Sequence, residues 1–200
     1  MLFRSERALA DLKGSDDALV FATGYLANVG VIPALVGTGD LIVGDELMHA
    51  SMHAGATLSG AKISLFRHND PSDCARILAA ERGNAGRALI LTEGVFSMDG
   101  DRAPVAELMK VATAHGAWLM TDDAHALGVV NLGRGSGVDA NGRSLGVPLQ
   151  MGTLSKAVGA LGGYIAASAP VIDMLRHRAR SAIYATGLPP GAVAAATTAL

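Results

Sequence analysis

Short apolar segments alternate along the chain with longer segments in which apolar residues recur at helical spacing. The short segments are rich in Val, Ile and Leu and are bounded by turn or charged residues, as is typical of buried strands. Strands that alternate with helical crossovers form a largely parallel sheet with helices on both faces, so an α/β fold is predicted. The predicted strands are ALVFA (18–22), DLIVG (40–44), KISLF (62–66), RALILT (87–92), AWLMTDD (117–123) and GGYIAAS (162–168).

The two ends of the sequence are predicted to be helical. SERALADLKG (5–14) runs directly into the first strand, and PPGAVAAATTAL (189–200) opens with proline, which is favoured at helix starts. No repeat, low-complexity tract or linker divides the chain, and NLGRGSGVDANGRS (131–144) is predicted to be a loop. We therefore expect one domain over residues 1–200, and its unfinished ends suggest a fragment.

Composition narrows the classes of function. Half of the 200 residues are apolar, which is enough for a sizeable core. The 16 Lys and Arg residues and 18 Asp and Glu residues give a net charge of −2 without a basic block, so nucleic acid is not expected as a partner. The single cysteine, Cys74, excludes an internal disulfide and favours a cytoplasmic protein. We see no signal-peptide core and no apolar run of about 18 residues, so a membrane is not an expected partner either.

Familiar nucleotide-binding and metal-binding motifs do not fit the sequence. GxxxxGK[ST] is absent, and GTGDLIVG (37–44) has the wrong glycine spacing for a dinucleotide fingerprint. His49 and His53 could share one face of a helix, but Ala50 stands where a zinc protease would carry Glu. We therefore expect no metal site.

One lysine lies in a stretch with almost no other charge. Lys156 in MGTLSKAVGALGGYIAAS (151–168) follows Thr153 and Ser155 and precedes a glycine-rich apolar run. A lysine that only solubilises a surface normally lies among other polar groups. Lys156 is therefore a candidate for chemistry.

Polar residues follow the AWLM segment in TDDAHALG (121–128). Asp122, Asp123 and His125 are thereby placed at a strand's carboxyl end, where α/β sheets bind ligands. A carboxylate can keep a heteroaromatic ring nitrogen protonated and a lysine can form a Schiff base, which is the pairing that pyridoxal phosphate requires. For an isolated motif of this kind, a capping Asp and a core His would be the alternative interpretation.

A glycine turn and several hydroxyls are predicted to hold a phosphate near this lysine. Gly24 in ATGYLANVG (22–30) lies at a strand-to-helix turn, where N–H groups bind anions, although most such glycines only permit a tight turn. Thr153 and Ser155 can add hydroxyls, and TEGVFSMDGD (92–101) brings Glu93 and Ser97 to another strand end. Four strand ends therefore converge on one predicted site.

Seven motifs, taken in order, strongly resemble those of the α-oxoamine synthases. This family comprises pyridoxal-phosphate enzymes with the aspartate-aminotransferase fold (fold type I), and the resemblance extends over essentially all 200 residues. It implies that residues 1–200 are the cofactor-binding large domain, without the family's N-terminal segment and C-terminal small domain. Such a chain is expected to bind pyridoxal phosphate weakly or not at all in isolation. The motifs are FATGYLAN, DELMHAS, TEGVFSMDGDRAP, TDDAHALGVV, GRGSG, MGTLSKAVGALGGYI and IYATGLPP.

The resemblance also implies a role for each matching residue. Lys156 becomes the Schiff-base lysine and base, Asp122 the partner of the pyridine nitrogen, and His125 the partner of the ring's phenolic oxygen. His49 is expected to stack on the ring and to assist the substrate. The other implied cofactor contacts are the backbone amides of Gly24 and Tyr25, the hydroxyl of Thr153, Ser97 at the ring, Asn28 in a supporting position, and Thr186 reaching the phosphate from a neighbouring subunit. The last of these implies a homodimer with shared active sites.

The reaction that the resemblance implies is the decarboxylative condensation of an amino acid with an acyl thioester. FSMDGDRAP followed by DDAH is most similar to the members that join L-alanine to a pimeloyl thioester, on coenzyme A or a carrier protein, in biotin synthesis. 5-Aminolevulinate synthases and serine palmitoyltransferases usually carry Glu at the position of Asp123, and 2-amino-3-ketobutyrate ligases depart after MDG. These activities remain alternatives, together with transamination on the same fold and an inactive fragment.

Overall fold

A seven-stranded mixed sheet forms the centre of the computed structural model, which describes residues 2–200. The strands follow the order β1-β7-β6-β5-β4-β2-β3 across the sheet. Their bounds are β1 Asp17–Phe21, β2 Leu41–Asp45, β3 Lys62–Phe66, β4 Ala88–Glu93, β5 Trp118–Asp122, β6 Leu149–Thr153 and β7 Gly163–Ala167. The helices are α1 Leu2–Lys13, α2 Gly24–Leu35, α3 Ala50–Ser59, α4 Pro71–Glu81, α5 Val105–Ala114, α6 Ala169–Arg178, α7 Arg180–Ile183 and α8 Pro190–Ala199, with a 3-10 turn at Arg82–Asn84.

The predicted α/β architecture is confirmed. Strands β3, β2, β4, β5 and β6 pair in parallel, while β7 is antiparallel to both of its neighbours, β6 and β1. All six predicted strands form, within one or two residues at their ends. The apolar pattern does not predict strand β6, because Gln150 and Gly152 interrupt it. This missed strand lies in the interior of the sheet, next to the central strand β5, and leads directly to Lys156.

Alternating side chains of the central strands supply two separate cores. Leu89 and Leu91 of β4 pack in one cluster with residues of α2 and α3, whereas Ile90 packs in a second cluster with residues of α4 and α5. Successive residues of a strand point to opposite faces, so an uninterrupted apolar strand needs helices on both sides. The sheet is therefore covered on both faces, and the carboxyl ends of its parallel strands stay open to a ligand.

A buried ion pair ties the first helix to the middle of the sheet. Lys13 Nζ, at the end of α1, lies 2.5 Å from Asp123 Oδ2, and both side chains are fully buried. The ammonium also donates to the carbonyl of Arg134 at 2.6 Å, and Ser136 Oγ donates to Asp123 Oδ1. Buried charges persist only when they are paired and hydrogen-bonded, so this pair fixes α1 and the 131–138 loop against the end of β5.

The length and polarity of a helix decide whether it can cross a membrane. Within residues 2–200, every helix is too short or too polar to cross a bilayer.

Candidate active site

A cavity of about 180 Å³ lies where β4, β5 and β6 end and α2 begins. Most of the residues that the sequence singles out line this cavity. A larger cavity, of about 550 Å³, lies at the other end of α2 and contains none of them. The lining comprises Thr23, Gly24, Tyr25, His49, Ser51, Glu93, Asp122, Ala124, His125, Met151, Thr153, Ser155 and Lys156.

Asp122 is the buried carboxylate of this cavity. Its side chain terminates β5, and its oxygens accept hydrogen bonds from Asn28 Nδ2 and from the backbone N–H of Ala124, each at 2.9 Å. Burial raises the pKa of Asp122, and these hydrogen bonds act in the opposite direction by stabilising the anion. The two fixed donors hold the carboxylate in one orientation, as is needed to partner a ring nitrogen.

Lys156 and His125 are in direct contact at the mouth of the cavity. Lys156 Nζ lies 2.8 Å from His125 Nε2. Burial lowers the pKa of His125, and the positive charge of Lys156 lowers it further, which favours the neutral imidazole as acceptor of a hydrogen bond from Nζ. Lys156 itself is exposed, so the low-charge sequence around it does not bury the amine but leaves it open to a ligand.

His49 lies at the start of α3 and also faces the cavity. It caps that helix, since its Nδ1 accepts the N–H of Ser51 at 3.2 Å and lies 2.7 Å from Ser51 Oγ. The cap fixes the position of the imidazole on the cavity wall. His53 lies on the following turn, outside the lining, and residues 2–200 contain no group of three or more side chains suited to a metal ion.

The N-terminus of α2 and two hydroxyls form the other end of the cavity. Thr23 caps the twelve-residue helix by accepting the N–H of Leu26 at 3.1 Å, so the positive end of the helix dipole faces the site. Thr153 Oγ1 lies 2.8 Å from Ser155 Oγ. A Cβ atom at Gly24 would lie only 3.2 Å from the side chain of Thr153, so any larger residue there would crowd this hydroxyl.

This set of groups fits pyridoxal phosphate. A helix N-terminus with adjacent hydroxyls suits a phosphate, a buried carboxylate suits a protonated ring nitrogen, and a lysine amine suits an aldehyde. All three lie on the wall of one cavity.

Three of the predicted cofactor residues lie outside the lining. Asn28 is fully buried behind Asp122, where its amide supports the carboxylate. Ser97 is exposed on the turn that follows β4, and Thr186 is exposed beside a different cavity, next to β1. The contacts predicted for Ser97 and Thr186 stay predictions, as do the cofactor roles of the residues in the lining.

The sequence pattern places Glu93 at a strand end but indicates no role for this residue. Its carboxyl group is buried in the cavity wall and accepts the backbone N–H of His49. Burial, followed by the negative charge of Asp122, raises the pKa of Glu93 to about 7. All six residues of β4 are buried, so a carboxylate at the end of this apolar strand was the signal available. Glu93 is a register partner of Asp122.

His68 was also missed, and it links two loops that border the site. Its Nδ1 lies 3.0 Å from Asp45 Oδ1 and its Nε2 lies 2.8 Å from Asp101 Oδ2, while the ring packs edge-on against Phe96. Burial acts to lower the pKa of His68, but the hydrogen bonds and charges of the two carboxylates outweigh it and raise the pKa. Asp45 precedes the loop that carries His49, and Asp101 follows the turn that carries Ser97.

Comparison with known proteins identifies the family to which the chain belongs. A family model described as aminotransferase class I and II matches residues 4–200. A putative 8-amino-7-oxononanoate synthase from Parvibaculum lavamentivorans is 59% identical over 98% of the chain and 50% of its own length. An 8-amino-7-oxononanoate synthase from Methylocella silvestris is 56% identical over 100% of the chain and 57% of its own length.

Solved structures agree with the sequence relatives. A serine palmitoyltransferase variant from S. paucimobilis, with a bound PLP–myriocin aldimine, superposes with a TM-score of 0.91 at 38% identity over 98% of this chain and 50% of that one. An 8-amino-7-oxononanoate synthase from Francisella tularensis gives a TM-score of 0.84 at 28% identity over 99% and 57%. The chain spans about half the length of the relatives that it matches.

Proposed function

The chain belongs to the aminotransferase class I and II family, in its α-oxoamine synthase branch, and we propose that the protein is a pyridoxal-phosphate-dependent 8-amino-7-oxononanoate synthase. It condenses L-alanine with a pimeloyl thioester. The supporting observation is that Lys156, His125 and Asp122 share one cavity in a chain 56% identical to a relative of that name.

The chemistry follows from what each side chain is able to do. Pyridoxal phosphate, when bound, supplies the electron sink that stabilises a carbanion at the Cα atom of the amino acid. Lys156 Nζ would hold the cofactor covalently, and its free amine is placed to accept the Cα proton of the amino acid. The Asp122 carboxylate holds a proton at the ring nitrogen, and His125 keeps Nζ in position through their 2.8 Å contact.

The remaining lining residues bind and orient. The N-terminus of α2 and the hydroxyl of Thr153 hold the phosphate, and the His49 imidazole stacks on the ring and assists the substrate. Condensation at the Cα atom would release the thiol carrier and carbon dioxide and give the aminoketone, with Lys156 as the group placed to move the Cα proton. We further propose that residues 1–200 are the cofactor-binding large domain of a homodimer in which Thr186 contacts the partner's phosphate.

A second candidate is a serine palmitoyltransferase-type activity. Its supporting observation is the TM-score of 0.91 with the S. paucimobilis enzyme. Both candidates use the same cofactor residues and the same Cα proton transfer, so the amino acid and the acyl chain alone distinguish them.

The test uses the purified protein at its natural length. Reconstitution with pyridoxal phosphate is expected to give an absorbance band that is absent in Lys156→Ala and retained in the control Lys110→Ala, which changes an exposed lysine of α5. Thiol release is then measured with alanine, glycine or serine against pimeloyl, acetyl, succinyl and palmitoyl thioesters.

The pattern of substrates decides the assignment. Thiol release that requires both alanine and the pimeloyl thioester supports the proposal, whereas serine with the palmitoyl thioester supports the second candidate. Keto-acid formation without a thioester would indicate an aminotransferase. A protein without a lysine-dependent band would contradict both synthase assignments.

A further inference from the structure

Two carboxyl groups lie side by side in the floor of the active-site cavity. Glu93 ends β4 and Asp122 ends β5, and they are register partners in this parallel pair. Residues at matching register positions point to the same face of a sheet, so both side chains face the cavity. Only 3% of Glu93 and 4% of Asp122 is exposed, so neither charge is well hydrated.

The two carboxyl groups differ in the donors that surround them. Asp122 accepts hydrogen bonds from Asn28 Nδ2 and the Ala124 N–H, each at 2.9 Å, whereas Glu93 has only the nearby backbone N–H of His49 to lower its pKa. Neighbouring buried carboxylates rarely ionise together, so such a pair retains a proton that a fully hydrated pair would lose. Hydrogen-bond donors stabilise the anion, which assigns the charge to Asp122 and the proton to Glu93.

We propose that Glu93 is the proton-holding acid of this pair and acts as a positioning residue for the cofactor. In this state Asp122 is the single anion available to the ring nitrogen, and the neutral Glu93 keeps the His49 backbone in place. The proposal rests on the function proposed above, because it concerns how the same cavity receives the cofactor.

The charges around Glu93 agree with this assignment. Burial is the largest influence and Asp122 the second, and together with the more distant Asp45 they raise the pKa of Glu93 to about 7. The positive charge of Lys156 and the N–H of His49 act in the opposite direction. An ionised Glu93 would add a second negative charge beside Lys156 and would compete with Asp122 for the proton of the ring nitrogen.

Glu93→Gln tests the proposal, because glutamine has nearly the size of the neutral acid but cannot ionise. The absorbance of the lysine-bound cofactor is followed against pH in the wild-type protein and in this variant. Wild type is expected to show an ionisation near pH 7, from the raised pKa of Glu93, and the variant to lack it. Glu107→Gln, on the exposed side of α5, is the matched control and should behave as wild type.

Infrared titration of the cofactor-free protein gives a second readout that does not depend on activity. The wild-type protein should show a protonated carboxyl band at about pH 6 that disappears through neutral pH and is missing in Glu93→Gln. An unchanged pH midpoint in the variant, or the same protonated carboxyl signal in both proteins, would overturn the proposal.

If no lysine-dependent absorbance forms, the proposed function fails, and the infrared titration still decides the protonation of Glu93. If Glu93→Gln does not fold, Glu93→Asp should retain an ionisation at a shifted midpoint, and an unshifted midpoint would contradict the role.

Discussion

The side-chain amide of Asn28 donates a 2.9 Å hydrogen bond to Asp122, joining the second turn of α2 to the end of β5. The same nitrogen lies 2.9 Å from Ser51 Oγ, which in turn lies 2.7 Å from His49 Nδ1. One buried amide therefore links the predicted partner of the ring nitrogen to the histidine predicted to stack on the ring. The geometry of the cavity depends on contacts made behind its wall.

Asn28→Ala is expected to weaken binding of pyridoxal phosphate. The hydrogen bond has an ionised acceptor, and loss of such a bond costs about 1.5–3 kcal/mol, or roughly 10-fold to 150-fold in affinity. Cofactor titration followed by absorbance measures the effect. Asn141→Ala, in an exposed loop, is the control and should bind as wild type. An affinity for Asn28→Ala within about twofold of wild type would show that Asp122 needs no support.

Lys13→Met is expected to destabilise the fold more than it disturbs the site. It leaves the carboxylate of Asp123 buried without its partner, which costs about 3–5 kcal/mol in the free energy of unfolding. Urea denaturation measures the loss, and Lys13→Met combined with Asp123→Asn should recover part of it. The control Lys62→Met breaks an ion pair whose lysine is 65% exposed, and should cost at most about 1 kcal/mol. If Lys13→Met and Lys62→Met lost the same free energy of unfolding, burial would not explain the contribution of the Lys13–Asp123 pair.

His68 is expected to make stability depend on pH. Its folded-state pKa is raised, so its contribution is complete below the unfolded-state value of 6.5 and is lost as pH rises through the folded-state pKa. Urea denaturation from mildly acidic to mildly alkaline pH should therefore show a larger fall in wild type than in His68→Gln. Subtracting the two curves cancels the contributions of other groups, Glu93 included. His177→Gln, at an exposed histidine, should follow wild type, and parallel curves for His68→Gln would refute the expectation.

Gly163→Ala is expected to displace the phosphate end of the cavity. A Cβ atom there would lie 2.5 Å from Gly24 N and from Thr23 O, both of them backbone atoms that cannot move aside cheaply. Overpacking of this kind costs about 1–3 kcal/mol, and cofactor affinity should fall as the turn shifts. Gly187→Ala has open space around it and is the control. Normal stability and cofactor binding in Gly163→Ala would show that the Thr23–Gly24 backbone can shift without disturbing the site.

Much of the fold was predictable because the strands carry their signal locally. β3 forms over the predicted bounds, 62–66, and the helices predicted at both ends of the sequence form as α1 and α8. Gln150 and Gly152 interrupt the apolar pattern of β6, although all five residues of this interior strand are buried. Local pattern therefore predicts a strand where apolar residues alternate with polar ones, as in β3, and fails for β6, where Gln150 and Gly152 are buried but not apolar.

The site was predictable where residues follow strand ends, and much less so where partners are distant. Lys156, Asp122 and Thr153 meet as expected because parallel strands bring their carboxyl ends together. Asp123, which distinguishes family members by sequence, instead faces Lys13, 110 residues away, on the other side of the sheet. Its identity therefore cannot select a substrate by direct contact. The contacts predicted for Ser97 and Thr186 would have to form outside this cavity. The spacing of residues along the sequence does not define such contacts.

The reversed direction of β7 has a consequence for how firmly Lys156 is anchored. Because β6 and β7 are adjacent and antiparallel, residues 154–162 form a closed connection between hydrogen-bonded neighbours, with Leu154 N–H donating to Gly162 O at 2.9 Å. Opening this connection requires β6 to part from β7 in the interior of the sheet. The amide hydrogens of Leu154 and Ala160, which are hydrogen-bonded within this connection, should thus exchange with solvent slowly, so both ends of the exposed segment that carries Lys156 stay fixed when a covalent bond forms at its amine.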